Sequence, residues 1–318
     1  MVRLSLLWLV LLTVLHAQDV LTIGGYGFPI NIKQGDRIVI DTNLRCRANP
    51  SLDAAASDRL LLGLPVTVEE EAFVGKVKWY REKGSRCWIY GPAKFQWSTT
   101  DREPVAFAIL DRLTKKDVRF EDFLAAEKLM VESFGWELDG QNAHVSARLR
   151  FGILQMLDTA AGFGDSFSPA FRSWQELHGG LLRNAPEPNQ SAVTVAPEEY
   201  WKLFEANRNA SWADDVAWTA SQWGPYSDEC GSGCQLYWVG QREAQYWKKL
   251  PRGRHIGEAL SSARSTAADI AKSACNSDFD SIEHKNVVAL IDSLAKVVHP
   301  AKQALVSALN EIARKCPN

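Results

Sequence analysis

Thr42-Asn43-Leu44-Arg45-Cys46-Arg47-Ala48-Asn49-Pro50-Ser51 is the stretch from which the fold is read, a short run that ends in a turn at Asn49-Pro50. Around it lie further β-branched or aromatic runs: Ile38-Val39-Ile40, Pro65-Val66-Thr67-Val68 and Val77-Lys78-Trp79-Tyr80. Turn formers bound them at Gly35-Asp36, Gly63, Gly75, Lys83-Gly84 and Gly91-Pro92. Short strands punctuated this often, from Leu21 to about Trp97, predict a small β-barrel.

The order of these runs resembles a bacterial SH3 domain. That family opens on an N-[LV]-R strand and a Pro-Ser arm, as Asn43-Leu44-Arg45 and Pro50-Ser51 do here. Leu60, Leu61, Gly63 and Pro65-Val66-Thr67-Val68 follow in the family's order. Lys78-Trp79-Tyr80 and Cys87-Trp88-Ile89-Tyr90-Gly91 then stand in place of its last two strands. The likeness covers roughly residues 36 to 97. It implies a binding module for cell-wall peptidoglycan or for peptides, with Trp79, Tyr80, Trp88 and Tyr90 as the aromatic ligand-binding surface. Of these, the two tryptophans are expected in the core and the two tyrosines at exposed contacts. The sequence departs from the family at Cys87, which replaces a glycine, and at Cys46. Because the strands carrying them lie close together in the family, the resemblance implies a cross-strand disulfide.

Upstream, Arg3 and the apolar run Leu4 to Leu15 precede Leu15-His16-Ala17, which reads as a cleaved leader over 1–17. About 12 apolar residues fall short of the roughly 20 needed to span a bilayer. The expectation is a secreted or periplasmic protein without a stable membrane span. Six cysteines suit an oxidising compartment. Nearest-neighbour pairing joins Cys46 with Cys87, Cys230 with Cys234 and Cys275 with Cys316, each within one proposed structural unit. A net charge of −2 with no basic run leaves no electrostatic footprint for nucleic acid.

Downstream of Pro104 the period changes to that of helices. Phe123, Leu124, Ala126, Leu129, Met130 and Phe134 follow the acidic start Glu121-Asp122, and Ala147 to Ala161 forms a second helix. The polar stretch Asn184 to Ser191 reads as a linker. Three closing helices are expected over Gly257 to Ser273, Asp278 to Val297 and His299 to Lys315. The expected fold is therefore multidomain α+β, an SH3-like β-barrel over 18–100 followed by an all-α region, divided into 101–185 and 186–318. Within the last part, Tyr200-Trp201-Lys202-Leu203-Phe204 before Ala213-Asp214-Asp215 is echoed by Tyr246-Trp247-Lys248-Lys249-Leu250 before Ile256-Gly257-Glu258. The pattern is similar to tetratricopeptide-like hairpins. The copies lie 46 residues apart against about 34 in the standard repeat. Such hairpins imply a surface for a protein partner.

One catalytic alternative arises. Glu132-Ser133, Asn142-Ala143 and Gly152-Ile153-Leu154-Gln155-Met156 resemble lytic transglycosylases, in which the glutamate is the general acid that protonates the glycosidic oxygen. The segment that completes that family's cleft is absent, and the plain alternative for Glu132 is a solvated side chain on an amphipathic helix. The histidines, His255 among them, lack an H-E-x-x-H arrangement, and the cysteines lack zinc-ligand spacing. No metal or cofactor is expected. The reading is a non-catalytic binding or scaffold protein of the cell envelope, with peptidoglycan hydrolysis by Glu132 as the alternative.

Overall fold

The computed structural model describes residues 20–23, 26–29, 37–41, 44–91, 95–97, 102–115, 118–130, 146–162, 168–184, 193–222, 232–272 and 281–315. The chain is mixed α+β and divides into two compact units, Met1–Phe163 and Gly164–Asn318. The β module expected over 18–100 thus shares its unit with the helices that follow it. No helix among the described residues is long and apolar enough to cross a membrane.

In the first unit, β1 (Val20–Ile23) and β2 (Tyr26–Pro29) form a hairpin. Three strands pair in the order β10-β3-β6, with β3 at Arg37–Val39, β6 at Pro65–Val66 and β10 at Phe95–Trp97. Five more pair in the order β5-β4-β9-β8-β7: Ala56–Arg59, Arg45–Arg47, Trp88–Tyr90, Val77–Glu82 and Val68–Val74. Among the described residues these are open sheets, not the closed barrel that the strand count suggests. At Thr67 the chain leaves one sheet for the other. Pro65–Val66 pairs with β3, and Val68–Val74 pairs with β8. Pro65 has no N–H to give a ladder, so β6 stays a two-residue edge. β7, an edge of the five-stranded sheet, carries Glu69, Glu70 and Glu71, charges that discourage edge-to-edge association.

The core between the strands holds Val39, Leu44, Cys46, Leu60, Leu64, Val66, Cys87 and Ile89. The expected Cys46–Cys87 disulfide lies within it, with a Cα–Cα separation of 5.4 Å and both residues fully buried. Helices α1 (Arg102–Leu113), α2 (Phe120–Lys128) and α3 (Ala147–Ala161) complete the unit. α3 has the bounds its apolar period predicts. Ser146 caps it, its hydroxyl accepting the Leu149 N–H at 3.3 Å, and it buries Leu149, Ile153, Met156 and Leu157.

Asp122 joins sheet to helix. It is 1% exposed, and its Oδ1 accepts the Leu62 N–H at 3.1 Å while Oδ2 accepts the Arg119 N–H at 3.0 Å. Arg59 lies 4.0 Å from the same carboxylate. Gly63, at φ +79°, permits the close approach, since a Cβ there would sit 3.2 Å from backbone atoms of Ala125 and Ala126. A glycine is therefore required both by conformation and by space.

The second unit is not all-α. After α4 (Pro169–Leu177), β11 (Leu182–Asn184) and β12 (Val193–Val195) pair antiparallel, flanking the stretch that composition marks as a linker. Leu182, Val193 and Val195 are buried, so this hairpin has its own apolar side. The rest is helical: α5 (Pro197–Ala206), α6 (Ala213–Ala220), α7 (Ser232–Gln241), α8 (Glu243–Lys249), α9 (Ile256–Lys272), α10 (Ser281–Ser293) and α11 (Lys302–Lys315). Tyr200 on α5 and Tyr246 on α8 are buried at matching offsets, as are Ala213 and Ala217 against Ala259 and Ala263. The small side chains let the second helix of each pair approach its neighbours closely.

Candidate functional site

Strand alternation sorts the aromatic residues of the five-stranded sheet. Register sets Trp79 opposite Tyr90, Tyr80 opposite Ile89 and Arg81 opposite Trp88. Trp79, Arg81, Trp88 and Tyr90 therefore share one face, because side chains alternate with period two. Trp79 is 2% exposed and meets the Tyr90 ring edge-on at 5.3 Å. Trp88 and Tyr90 are half-buried, two residues apart on β9, and Arg81 lies over Trp88 at 5.8 Å. Glu69 and Glu70 hold the Arg81 guanidinium at 3.5 and 2.8 Å. The result is an aromatic shelf with Trp79 buried and the Trp88 and Tyr90 rings half-buried beside it.

Tyr80 faces the other way. It is 8% exposed, with Arg37 stacked over its ring at 4.0 Å and Lys78 at 5.2 Å. Glu71 pairs with both cations, at 2.6 Å from Lys78 and 3.8 Å from Arg37. The expected division into buried tryptophans and exposed tyrosines thus takes a different form. Trp79 and Tyr80 are both buried, while Trp88 and Tyr90 are both half-buried. The pleat turns Tyr80 to the opposite face, and place within the shared face, not residue type, separates buried Trp79 from half-buried Trp88 and Tyr90.

Other expected site residues fall as follows. Cys234 is disulfide-bonded, while Cys230, Cys275 and Cys316 lie outside the described residues. Glu132 also lies outside them. The Gly152-Ile153-Leu154-Gln155-Met156 segment sits inside α3 instead of opening a helix, and Ile153, Leu154 and Met156 are buried.

A second cluster forms where the two helical hairpins meet. Asp214 and Asp215 stand in the first turn of α6, where the helix dipole favours negative charge. Tyr246 donates its hydroxyl to Asp214 Oδ1 at 2.5 Å and accepts the His255 N–H at 3.1 Å. The Arg254 N–H reaches Asp214 Oδ2 at 2.9 Å. His255 Nε2 meets Asp215 at 3.0 Å, its Nδ1 meets Glu258 at 3.0 Å, and Arg254 pairs with Asp215 at 2.5 Å. Trp218 stacks on the imidazole at 5.3 Å, nearly parallel to it. Gly253 makes room, since a Cβ there would lie 2.2 Å from the Tyr246 hydroxyl. Both ring nitrogens of His255 are engaged with carboxylates, so neither is open to take a proton from a substrate. The cluster fastens one hairpin to the next.

Its charge state follows from opposed effects. Burial disfavours the His255 cation, but hydrogen bonds to Asp215 and Glu258 outweigh it and raise the pKa above 6.5. Burial likewise works against the Asp215 carboxylate, and its bonds to His255 and Arg254 outweigh that and lower its pKa below 3.8. Burial and then the Asp214 hydrogen bond push the Tyr246 pKa up. By linkage, the His255 contribution to stability is full below pH 6.5 and is lost as pH climbs through its raised folded value. The Asp215 contribution is present above pH 3.8 and is lost as pH falls through its lowered folded value. The second unit is expected to melt highest between those limits, and His255→Gln is expected to flatten the decline on the alkaline side. Melting temperature against pH for parent and variant checks this. Parallel curves would contradict it.

Compared with known proteins, the chain matches no family model, no curated protein and no solved structure. Sequence reasoning singled out the shelf aromatics through a resemblance, and it passed over Arg45 and Arg47 beside them. It also passed over the partnership of Asp215 with His255. The acidic start of α6 was visible as a helix signal, but nothing local pairs it with a histidine 40 residues on.

Proposed function

We propose that this chain is an exported, non-catalytic binding protein of the cell envelope. Its β module, with the strand order of motifs seen in bacterial SH3 domains, holds cell-wall peptide on the Trp88–Tyr90 shelf, and its helical hairpins dock a protein partner. The observation that carries the reading is the shelf itself: two half-open rings on one strand, backed by the buried Trp79 ring. Rings held this way present a large apolar contact at little cost in side-chain entropy. The Cys46–Cys87 disulfide supports export, since such bonds persist in oxidising compartments. The internally satisfied His255 cluster supports a scaffolding role for the hairpins.

Co-sedimentation with purified peptidoglycan tests the shelf. The full-length protein is expected to pellet with the wall, and the double variant Trp88→Ala, Tyr90→Ala is expected to lose about tenfold or more in affinity, as truncated aromatic anchors do. A double variant that folds and pellets like the parent would remove the shelf from the account.

A further inference from the structure

On the shelf face, β4 runs beside β9, and register places Arg47 directly opposite Trp88. Arg45 lies two residues back along β4, on the same face. Other strand cations of this sheet are neutralised: Arg59 faces Asp122, Lys78 faces Glu71, and Arg81 faces Glu69 and Glu70. Arg45 and Arg47 meet only carbonyl oxygens among the described residues. Arg45 Nη1 donates to the Ser57 carbonyl at 3.4 Å. Arg47 Nη1 donates to the carbonyls of Leu52 and Ala54 at 2.6 and 2.9 Å. Arg45 is exposed and Arg47 half-buried. The carbonyls orient the Arg47 guanidinium without cancelling its charge. Two such forks beside two half-buried rings form a surface of mixed character, positive at β4 and aromatic at β9.

We infer that the ligand of this shelf is a carboxylate-bearing extended peptide, its carboxylate received by Arg45 and Arg47 and its apolar part laid across Trp88 and Tyr90. The inference rests on the wall-binding reading and names the group recognised. Charge complementarity selects it, because a planar guanidinium fork matches a carboxylate in two-point geometry. A neutral glycan strand would use the rings and leave both arginines idle.

The test uses the full-length protein and acid-treated peptidoglycan sacculi, stripped of phosphate polymers, so that carboxylates are the anions present. One portion is left native, and in the other the carboxylates are converted to amides. The parent is expected to bind the amidated sacculi about tenfold more weakly, the loss of roughly one charge-assisted hydrogen bond. Arg45→Gln with Arg47→Gln is expected to bind native sacculi about tenfold more weakly and to ignore amidation. Arg45→Lys with Arg47→Lys keeps the charge and is expected to stay sensitive to amidation. Equal binding of the parent to both preparations overturns the inference and leaves the aromatic shelf standing, and this arm needs no variant to fold. A folded glutamine variant with parental affinity overturns it as well. If the parent pellets with neither preparation, the wall-binding reading falls and takes the inference with it.

Discussion

Replacing Cys46 and Cys87 together by alanine is expected to lower the stability of the first unit by about 4 kcal/mol. The bond closes a loop between residues 41 apart, and cross-linking that length of unfolded chain removes conformational freedom the open chain would keep. The bond runs from β4 to the residue just before β9, and both strands are short, with three residues each. Short strands bury little apolar surface of their own, so a module of this size depends on a staple. Chemical denaturation, followed by amide exchange at the strand residues Trp79 and Trp88 of the first unit, reads the effect. In the first unit, the parent under reducing conditions is expected to unfold at the midpoint of the oxidised double variant, and that unit of the double variant is expected to ignore reductant, the Cys234 disulfide lying in the second unit. A parent whose midpoint does not move on reduction would show that the bond contributes nothing to the fold.

Asp122→Ala is expected to cost about 3 kcal/mol through a different route. The carboxylate is buried and accepts two backbone N–H groups, those of Leu62 and Arg119. Removing it takes the carboxylate acceptor from both N–H groups and a negative charge from beside Arg59. Orphaned buried donors carry a desolvation penalty that a missing contact alone does not. Asp122→Asn keeps an acceptor oxygen and loses the charge, so its cost is expected to be about half as large. Amide exchange localises the cause: Leu62 is expected to lose protection in the alanine variant. Wild-type exchange at Leu62 together with an unchanged midpoint would show that sheet and helix do not depend on this carboxylate.

These two sites differ in how far the sequence announces them. Cys46 stands on β4 and Cys87 just before β9, two segments that the likeness to bacterial SH3 domains brings together, so their pairing is legible once the motif order is seen. Asp122 reads as an acidic residue in the first turn of a helix, which it is, but its bond to Leu62 spans 60 residues. No local pattern encodes that distance. The bounds of α3 are legible because Leu149, Ile153, Met156 and Leu157 recur on one face, and Ser146 supplies the cap.

What the sequence conceals is where strands change partners. Pro65-Val66-Thr67-Val68 reads as one strand, yet it serves two sheets, with the change at Thr67. The closed barrel expected from the strand count is not seen among the described residues. The β11–β12 pairing is concealed for a similar reason: Leu182–Asn184 and Val193–Val195 are too short to stand out from the polar stretch between them. At the shelf, aromatic content is legible from composition, but the pleat that turns Tyr80 inward and Trp88 outward depends on register. Arg45 and Arg47 look like ordinary strand cations until the neighbouring cations are seen to be paired.

The measurement that tests the central claim most directly is incubation of the full-length protein with purified peptidoglycan, with the pellet assayed for protein and the supernatant for released muropeptides. The account predicts protein in the pellet and no release of soluble sugar-peptide fragments over the control. Release that Glu132→Gln abolishes would contradict it and make the chain a peptidoglycan hydrolase instead.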